Sequence, residues 1–379
     1  MRQPANTSVL VAAGGEAGSG PIRVESIGDR DRWNRLVTAL PSGELEQGWE
    51  WAEVLRGSGA RCSRYAILGS DGEGLAAVSV LAWPLRPFPL TVLDVSRGPS
   101  IRTESPAAWA GVVATVREVA AATNAVFARL SPPVPEGQGD VHRALLRHGF
   151  AALPDSWTLW NAPKVVMTLA LDGTEDAVWR RISNRRRREI RLAREAGVEI
   201  DDGRRVDLDE FYQLLLDMGR VKRYPVRRLA HFEALHRAYV GDDHGVFRVA
   251  RWKERVVGGL IGGRLAGRAY LLYAAADRGP APRDGGVRAG PLLYWDFIQW
   301  ATSAGCRTIH WGGSGTHLPP RSDDPGYGVF QFKRSFGSSC WAYLGYYDLV
   351  FRPRLYPLLR AAERRLGPLL WRLRARLNR

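Results

Sequence analysis

Lysine is scarce in this chain. Of 54 Lys and Arg residues only Lys164, Lys222, Lys253 and Lys333 are lysines. Lys333 sits in GVFQFKRSFG, residues 328–337, behind Phe330 and Phe332. Where arginine is the default cation, a lysine supplies a compact point charge in place of a wide planar fork. Such a charge can meet negative charge on a ligand; the other reading is a solvent-facing lysine on an amphipathic helix. Phe332 would stand beside it as an apolar wall. The WGGSGTHLPP loop, 311–320, is flanked by His310 and His317, candidates to take a proton from a nucleophile, although a lone histidine is more often structural. Asp296 reads as a surface acid on a helix.

Two features address phosphate. The glycine cluster GGVRAG, 285–290, precedes a helix, and exposed backbone N–H groups at a helix start hold anions; Gly286, Gly290 and Arg288 are the candidate phosphate contacts, against a plain flexible loop. The run 184–188, with Arg191 and Arg194, makes a strongly basic helix. Either it contacts RNA or nucleotide phosphate, or it is a solvated face with Glu189 and Glu195 as local partners. No interleaved aromatics suggest base stacking.

Other chemistries are not indicated. No His-Glu-x-x-His, P-loop or nucleophile elbow occurs. His231 and His236 are five apart and fall on different helical faces, so no metal is expected. Cys62, Cys306 and Cys340 form no C-x-x-C, and a reducing cytoplasm fits them.

The chain has 379 residues, 45% hydrophobic, with a formal charge of +15. That field attracts polyanions: nucleic acid, phosphorylated cofactors or an anionic lipid surface. Residues 1–20 read as a disordered tail and not as a signal peptide. No apolar run approaches a membrane span. The basic, leucine-rich end, 350–379, reads as an amphipathic helix that either lies on an anionic membrane surface or packs on the protein's own body.

The elements that must position these residues come in two similar sets. The first half reads as two helices, a hairpin turned at Asp71-Gly72, a strand, a helix opened by Pro106, a strand, a short helix and a strand, PKVVMTLAL. The second half opens with one helix over 174–197, capped by Thr174 and ended by Gly197. Two more helices follow, then a three-strand meander turned at Lys253-Glu254 and Ala266-Gly267. A helix from about Pro291, the strand TIHWGG, the Lys333 helix and a strand CWAYLGYYDL complete it. The expected units are 21–172 and 173–349. The first copy of the short helix, HRALLRHGF, has no central lysine, which places the chemistry in the second half.

That order resembles the acetyltransferase-like (GNAT) fold, an α/β fold with mixed sheets, in two tandem copies. The doubled form resembles the Fem family, the peptidoglycan bridge-forming aminoacyltransferases, with its FemAB-like and BioF2-like relatives. The stretches that carry it are QGWEWAEVL, SRGPSI, WRRISNRRRREIRLAREAGVEI, LLYWDFIQWATSAGCRTIHWGGS and GVFQFKRSFG, spanning about 21–349. The resemblance implies acyl transfer to an amine, with aminoacyl-tRNA as donor and a peptidoglycan precursor as acceptor. It implies that Lys333 contacts phosphate or supports the tetrahedral intermediate. It also implies substrate contacts at Arg97 of the Arg-Gly-Pro strand end and at Trp311, Gly312 and Gly313 of the Gly-Gly strand end. Many relatives carry an Asp two residues before that Gly-Gly, where this chain has His310, and no long heptad helix is inserted. Those departures favour an acyl-CoA-dependent enzyme acting on a sugar, amino acid or polyamine. Residues 283–288 keep only part of the single-copy coenzyme A signature. A non-catalytic RNA- or membrane-binding protein is the third reading. Under the enzymatic readings the chain needs no bound cofactor and works in the cytoplasm, at or near the inner membrane face.

Overall fold

A computed structural model describes residues 9–11, 21–154, 163–277, 288–324 and 326–376. The chain divides into two units: 1–164 with 342–365, and 165–341 with 366–379. Each is built on one mixed sheet.

The first unit begins with β1 (Val9–Val11), which pairs antiparallel with β2 (Ile22–Ser26). The segment expected to be a disordered tail therefore contributes a strand. Its Val-Leu-Val triplet has high strand propensity and adds to an open sheet edge. Helices α1 (Arg30–Ala39) and α2 (Trp49–Arg56) follow. Strands β3 (Arg61–Leu68) and β4 (Gly74–Pro84) form the hairpin, with Gly72 at φ +82° in its turn. Next come β5 (Thr91–Val95), β6 (Ser100–Ile101), α3 (Pro106–Thr123) and β7 (Ala125–Leu130). The Ser105 side chain caps α3, Pro106 starts it and Asn124 ends it in the left-handed region. Short α4 (Gly139–Arg147) and β8 (Ala151–Ala152) close this stretch.

In the second unit β9 (Val165–Ala170) leads to α5 (Glu175–Arg181) and α6 (Asn184–Glu195). The single helix expected over 174–197 is broken at Ile182. Thr174 caps the first piece as expected, and the Ser183 hydroxyl accepts from the Arg186 N–H to start the second. An N-cap serine inside a helical pattern is the signal for that break. Then come β10 (Glu199–Asp202), α7 (Leu208–Lys222) and α8 (Leu229–Leu235), the last running into a π-helical turn. The meander is β11 (Gly245–Trp252), β12 (Arg255–Leu265) and β13 (Arg268–Ala276). Its two turns hold Lys253, Glu254, Ala266 and Gly267 at positive φ, as two-residue hairpins demand. Glycines in β12 allow close cover on both faces: a Cβ on Gly259 would meet Phe211 of α7, and one on Gly262 would meet Phe297 of the next helix. That helix is α9 (Gly290–Ser303), followed by β14 (Thr308–Gly313), α10 (Tyr327–Arg334) and β15 (Ser339–Ala342). The strand order is β10-β11-β12-β13-β14-β9-β15.

The chain then returns to the first sheet. β16 (Tyr347–Val350) lies between β7 and β8 there, and α11 (Tyr356–Arg376) follows. CWAYLGYYDL is thus two strands in two sheets, parted around Gly345 at φ +108°. PKVVMTLAL, expected in the first unit, pairs with β14 in the second, which puts the division at 164/165 in place of 172/173. Strand pairing between distant segments is not written in local periodicity.

A buried charge network fixes the return of the chain. Arg129 of β7, 1% exposed, donates to both carboxylate oxygens of Asp348 at 2.8 Å and to Glu363 of α11 at 2.6 Å. Arg360 pairs with Glu363, and the Tyr356 hydroxyl donates to Asp348 at 2.9 Å. Removing one member strands the others without water. Arg129→Ala therefore lowers the unfolding free energy by about 3–5 kcal/mol in denaturant titration; a change below about 1 kcal/mol would show that the network does not hold the C-terminal segment.

Candidate active site

Two adjacent parallel strands define the site in the second unit. β13 and β14 pair only over Arg268–Tyr270 and Thr308–His310. β13 runs on to Ala276 and β14 to Gly313 without further pairing between them. The corresponding pair of the first unit, β5 and β7, stays paired to Val95 and Leu130. Among the described residues, the parallel pair of the second unit thus parts at its far end while that of the first unit does not. The N-terminus of α9 stands beside the far end of β13: a Cβ on Gly290 would lie 3.8 Å from that of Ala276.

Lys333 reaches the open end of β14. Its Nζ donates to the Gly313 carbonyl at 2.7 Å, and the residue is 5% exposed. Burial pushes its ammonium down to about 8, with the positive charge of Lys222 adding to the shift and Cys340 opposing it. Two of the four lysines in the chain are therefore close enough to repel. Lys333 is buried and Lys222 exposed, and a buried cation with a second cation near it suits the binding of an anion. One carbonyl satisfies one of three ammonium donors, which leaves capacity for an oxyanion or phosphate.

The remaining expected residues divide sharply. Gly313 supplies the carbonyl that orients Lys333, and Gly312 takes φ +76° at the bend just before it. Gly290 is the first residue of α9. Arg288 is exposed and lies 4.0 Å from Glu189. Gly286 lies outside the described residues. Phe332 does not wall Lys333. One step along the helix it turns elsewhere, packing its ring 4.8 Å from Tyr294 and beneath the Arg186 guanidinium at 4.5 Å. Trp311 is core, 2% exposed, stacked 5.2 Å from Tyr294, with its indole N–H on Ser338 at 2.8 Å. Strand alternation sends it opposite to His310.

His310 is poorly arranged to take a proton. Its Nδ1 accepts the Gly312 N–H at 3.2 Å, so the neutral ring carries its proton on Nε2, and the ring lies 5.5 Å from Tyr270. His317 binds Asp324, which also accepts from Thr316 at 2.7 Å and from the Arg321 N–H at 2.9 Å. Desolvation works to raise that carboxyl, but these hydrogen bonds outweigh it and hold it well below its usual range. The loop after β14 is thus organised around one buried aspartate. Arg97 belongs to the first unit's interior. It is 3% exposed, lies 3.8 Å over the Tyr343 ring and donates to the Pro163 carbonyl. Asp296 is no surface acid: it pairs with Arg248 at 3.0 Å, and burial raises its carboxyl.

Lys222, Ser314 and Cys340 were not singled out from the sequence. Ser314 Oγ and Cys340 Sγ are 3.9 Å apart beside Lys333, and burial raises the thiol. Lys222 also lines a cavity of about 510 Å³ with Asp217, Met218, Val221, Ala276 and Asp277. Its rarity was a signal shared with Lys333; the other two carry none until the fold assembles them. His231, 7% exposed, has Nε2 at 3.1 Å from the Tyr273 hydroxyl, and burial lowers it to about 4, so the ring is neutral at physiological pH.

Comparison with known proteins agrees with this geometry. The family model described as an acetyltransferase (GNAT) domain matches residues 180–334. Lipid II:glycine glycyltransferase of Staphylococcus aureus is 22% identical over 414 aligned positions, covering 91% of this chain and 97% of that protein. The crystal structure of FemX superposes with TM-score 0.78 at 19% identity, over 88% of this chain and 99% of that one. A tandem GNAT protein from the clavulanic acid biosynthesis pathway gives TM-score 0.50 at 11% identity, over 87% and 98%. The fold is therefore that of two tandem GNAT-like units.

The shift at Lys333 has a stability signature. Above about pH 8 the folded chain releases this proton, while an unfolded lysine keeps it to 10.5. Between those values the unfolded state binds more protons, so stability rises with pH. The rise is on the order of 3 kcal/mol and is absent in Lys333→Met; matching pH profiles for the two proteins would show that Lys333 is not desolvated.

Proposed function

We propose that the protein is an N-acyltransferase of the Fem type. It transfers an aminoacyl group from aminoacyl-tRNA to an amine of a lipid-linked peptidoglycan precursor. The observation that carries this is Lys333, a buried ammonium with unused donors at the open end of β14. The near full-length likeness to lipid II:glycine glycyltransferase supports the substrate classes.

Acyl transfer needs the donor's phosphates held, the oxyanion stabilised and the amine deprotonated. Lys333 and Lys222 supply positive charge for the donor. When the amine nitrogen attacks the ester carbonyl, the electron pair moves to oxygen, and the Lys333 ammonium donates to that oxyanion. Desolvation strengthens this contact relative to water. Collapse re-forms the carbonyl and expels the ribose oxygen, which takes up a proton as the amine loses one. No metal or bound cofactor enters this scheme. The acceptor lies at a membrane surface, and α11 offers exposed Leu358, Leu366 and Leu369 with exposed Arg364 and Arg365 toward anionic lipid.

A second reading rests on His310 and on the GNAT domain match: the same fold using acyl-CoA on a soluble amine. Turnover decides between them. With aminoacyl-tRNA and a lipid-linked acceptor in vesicles, the proposal predicts product, more of it in anionic than in neutral vesicles. Lys333→Ala should reduce kcat/KM by about 100-fold or more. Product only from acyl-CoA and a soluble amine would favour the second reading, and near wild-type turnover by Lys333→Ala would remove the lysine from the mechanism.

A further inference from the structure

The arginines of α6 are divided by where their charge goes. Arg185 and Arg186 both pair with Glu189, and the Arg187 side chain donates to Asn184. Arg188, Arg191 and Arg194 are exposed and form no close ion pair among the described residues, although Arg194 is near enough to Asp296 to lower its carboxyl. At 100° per residue these three span about 120° of the helix circumference and about 9 Å of its length. Ile190 and Ala193 are buried in the unit's core, with Arg194 bordering that buried side and Arg188 turned furthest from it. The roll of α6 is thus fixed by packing, which leaves these three arginines exposed on its surface.

The same helix is tied directly to the element carrying Lys333. The Ser183 N–H donates to the Ser335 carbonyl at 2.9 Å, and Arg186 Nε donates to the Ser335 hydroxyl at 2.8 Å. Arg186 also covers the Phe332 ring. Ser335 is two residues beyond Lys333. The start of α6 therefore packs on the face of α10 that carries Phe332 and Ser335, and the arginine row runs on from that contact.

We propose that Arg188, Arg191 and Arg194 of α6 form the docking surface for the RNA part of the donor. They would hold the backbone of its acceptor arm while the charged 3′ end reaches Lys333. This rests on the reading that the donor is an aminoacyl-tRNA. The chemistry fits a duplex: a nucleic acid helix presents a phosphate charge about every 2 Å of its axis, so a 9 Å row of cations faces several phosphates. Guanidinium forks suit phosphate oxygens. A lipid surface is the less suitable occupant, because Leu192 is the one large exposed hydrophobic side chain on this helix.

The test is binding of unacylated tRNA to the full chain across a salt series, for wild type and for R188Q/R191Q/R194Q. Each lost phosphate contact lowers the slope of log K against log salt by about 1, so the variant should lose about 2 to 3. Its turnover with aminoacyl-tRNA should show a raised KM and a nearly unchanged kcat, and its thermal unfolding should match wild type. An unchanged slope and KM would overturn the docking surface while leaving the donor assignment standing. Turnover by the wild type with acyl-CoA alone would overturn the donor assignment and the docking role with it. R188K/R191K/R194K should retain most of the slope; loss of binding there together with a lowered melting temperature would assign the arginines to folding and contradict the proposal.

Discussion

A lysine ammonium kept from water at the end of two unzipped parallel strands is the constraint around which the second unit is organised. An isolated charge in that position is costly. It is retained because Gly313 turns a carbonyl toward it, and because α10 is anchored on both sides by Phe330 and Phe336 in the core. β13 and β14 part beyond Tyr270 and His310, and Lys333 brings positive charge to the last residue of β14. Lys222 adds a second cation from α7, close enough to lower the Lys333 ammonium further.

The first unit shows what happens without that constraint. Its parallel pair is closed to Val95 and Leu130, and Arg97 just beyond is drawn into the interior over Tyr343. Its charges are spent on holding the chain together: Arg129, Asp348, Glu363 and Arg360 bind the returning strand and the last helix. One architecture thus serves two purposes, decided by whether two strands remain paired at their far ends.

Much of this was legible in the residues. The alternation of elements, the hairpin turns at Lys253-Glu254 and Ala266-Gly267, the Pro106 start of α3 and the rarity of Lys333 are all local signals. What could not be read depends on pairing between distant segments. The move of β9 into the second sheet, the return of β16 to the first and the meeting of Lys222 with Lys333 have no periodicity of their own. The family-like positions Trp311 and Arg97 looked like substrate contacts because their motifs are similar to those of acting enzymes. In the fold, Trp311 serves as packing and Arg97 as an internal cation. Phe332 was expected to face the same way as its neighbour, but adjacent helix positions diverge by about 100°.

Four lysines make the central claim directly observable. NMR of the protein with 13C-labelled lysine side chains gives four ε-carbon signals, each with its own titration. The account predicts one signal with a midpoint near 8 that vanishes in Lys333→Arg and shifts when donor is added. Four signals titrating together near 10.5, none moved by donor, would contradict it.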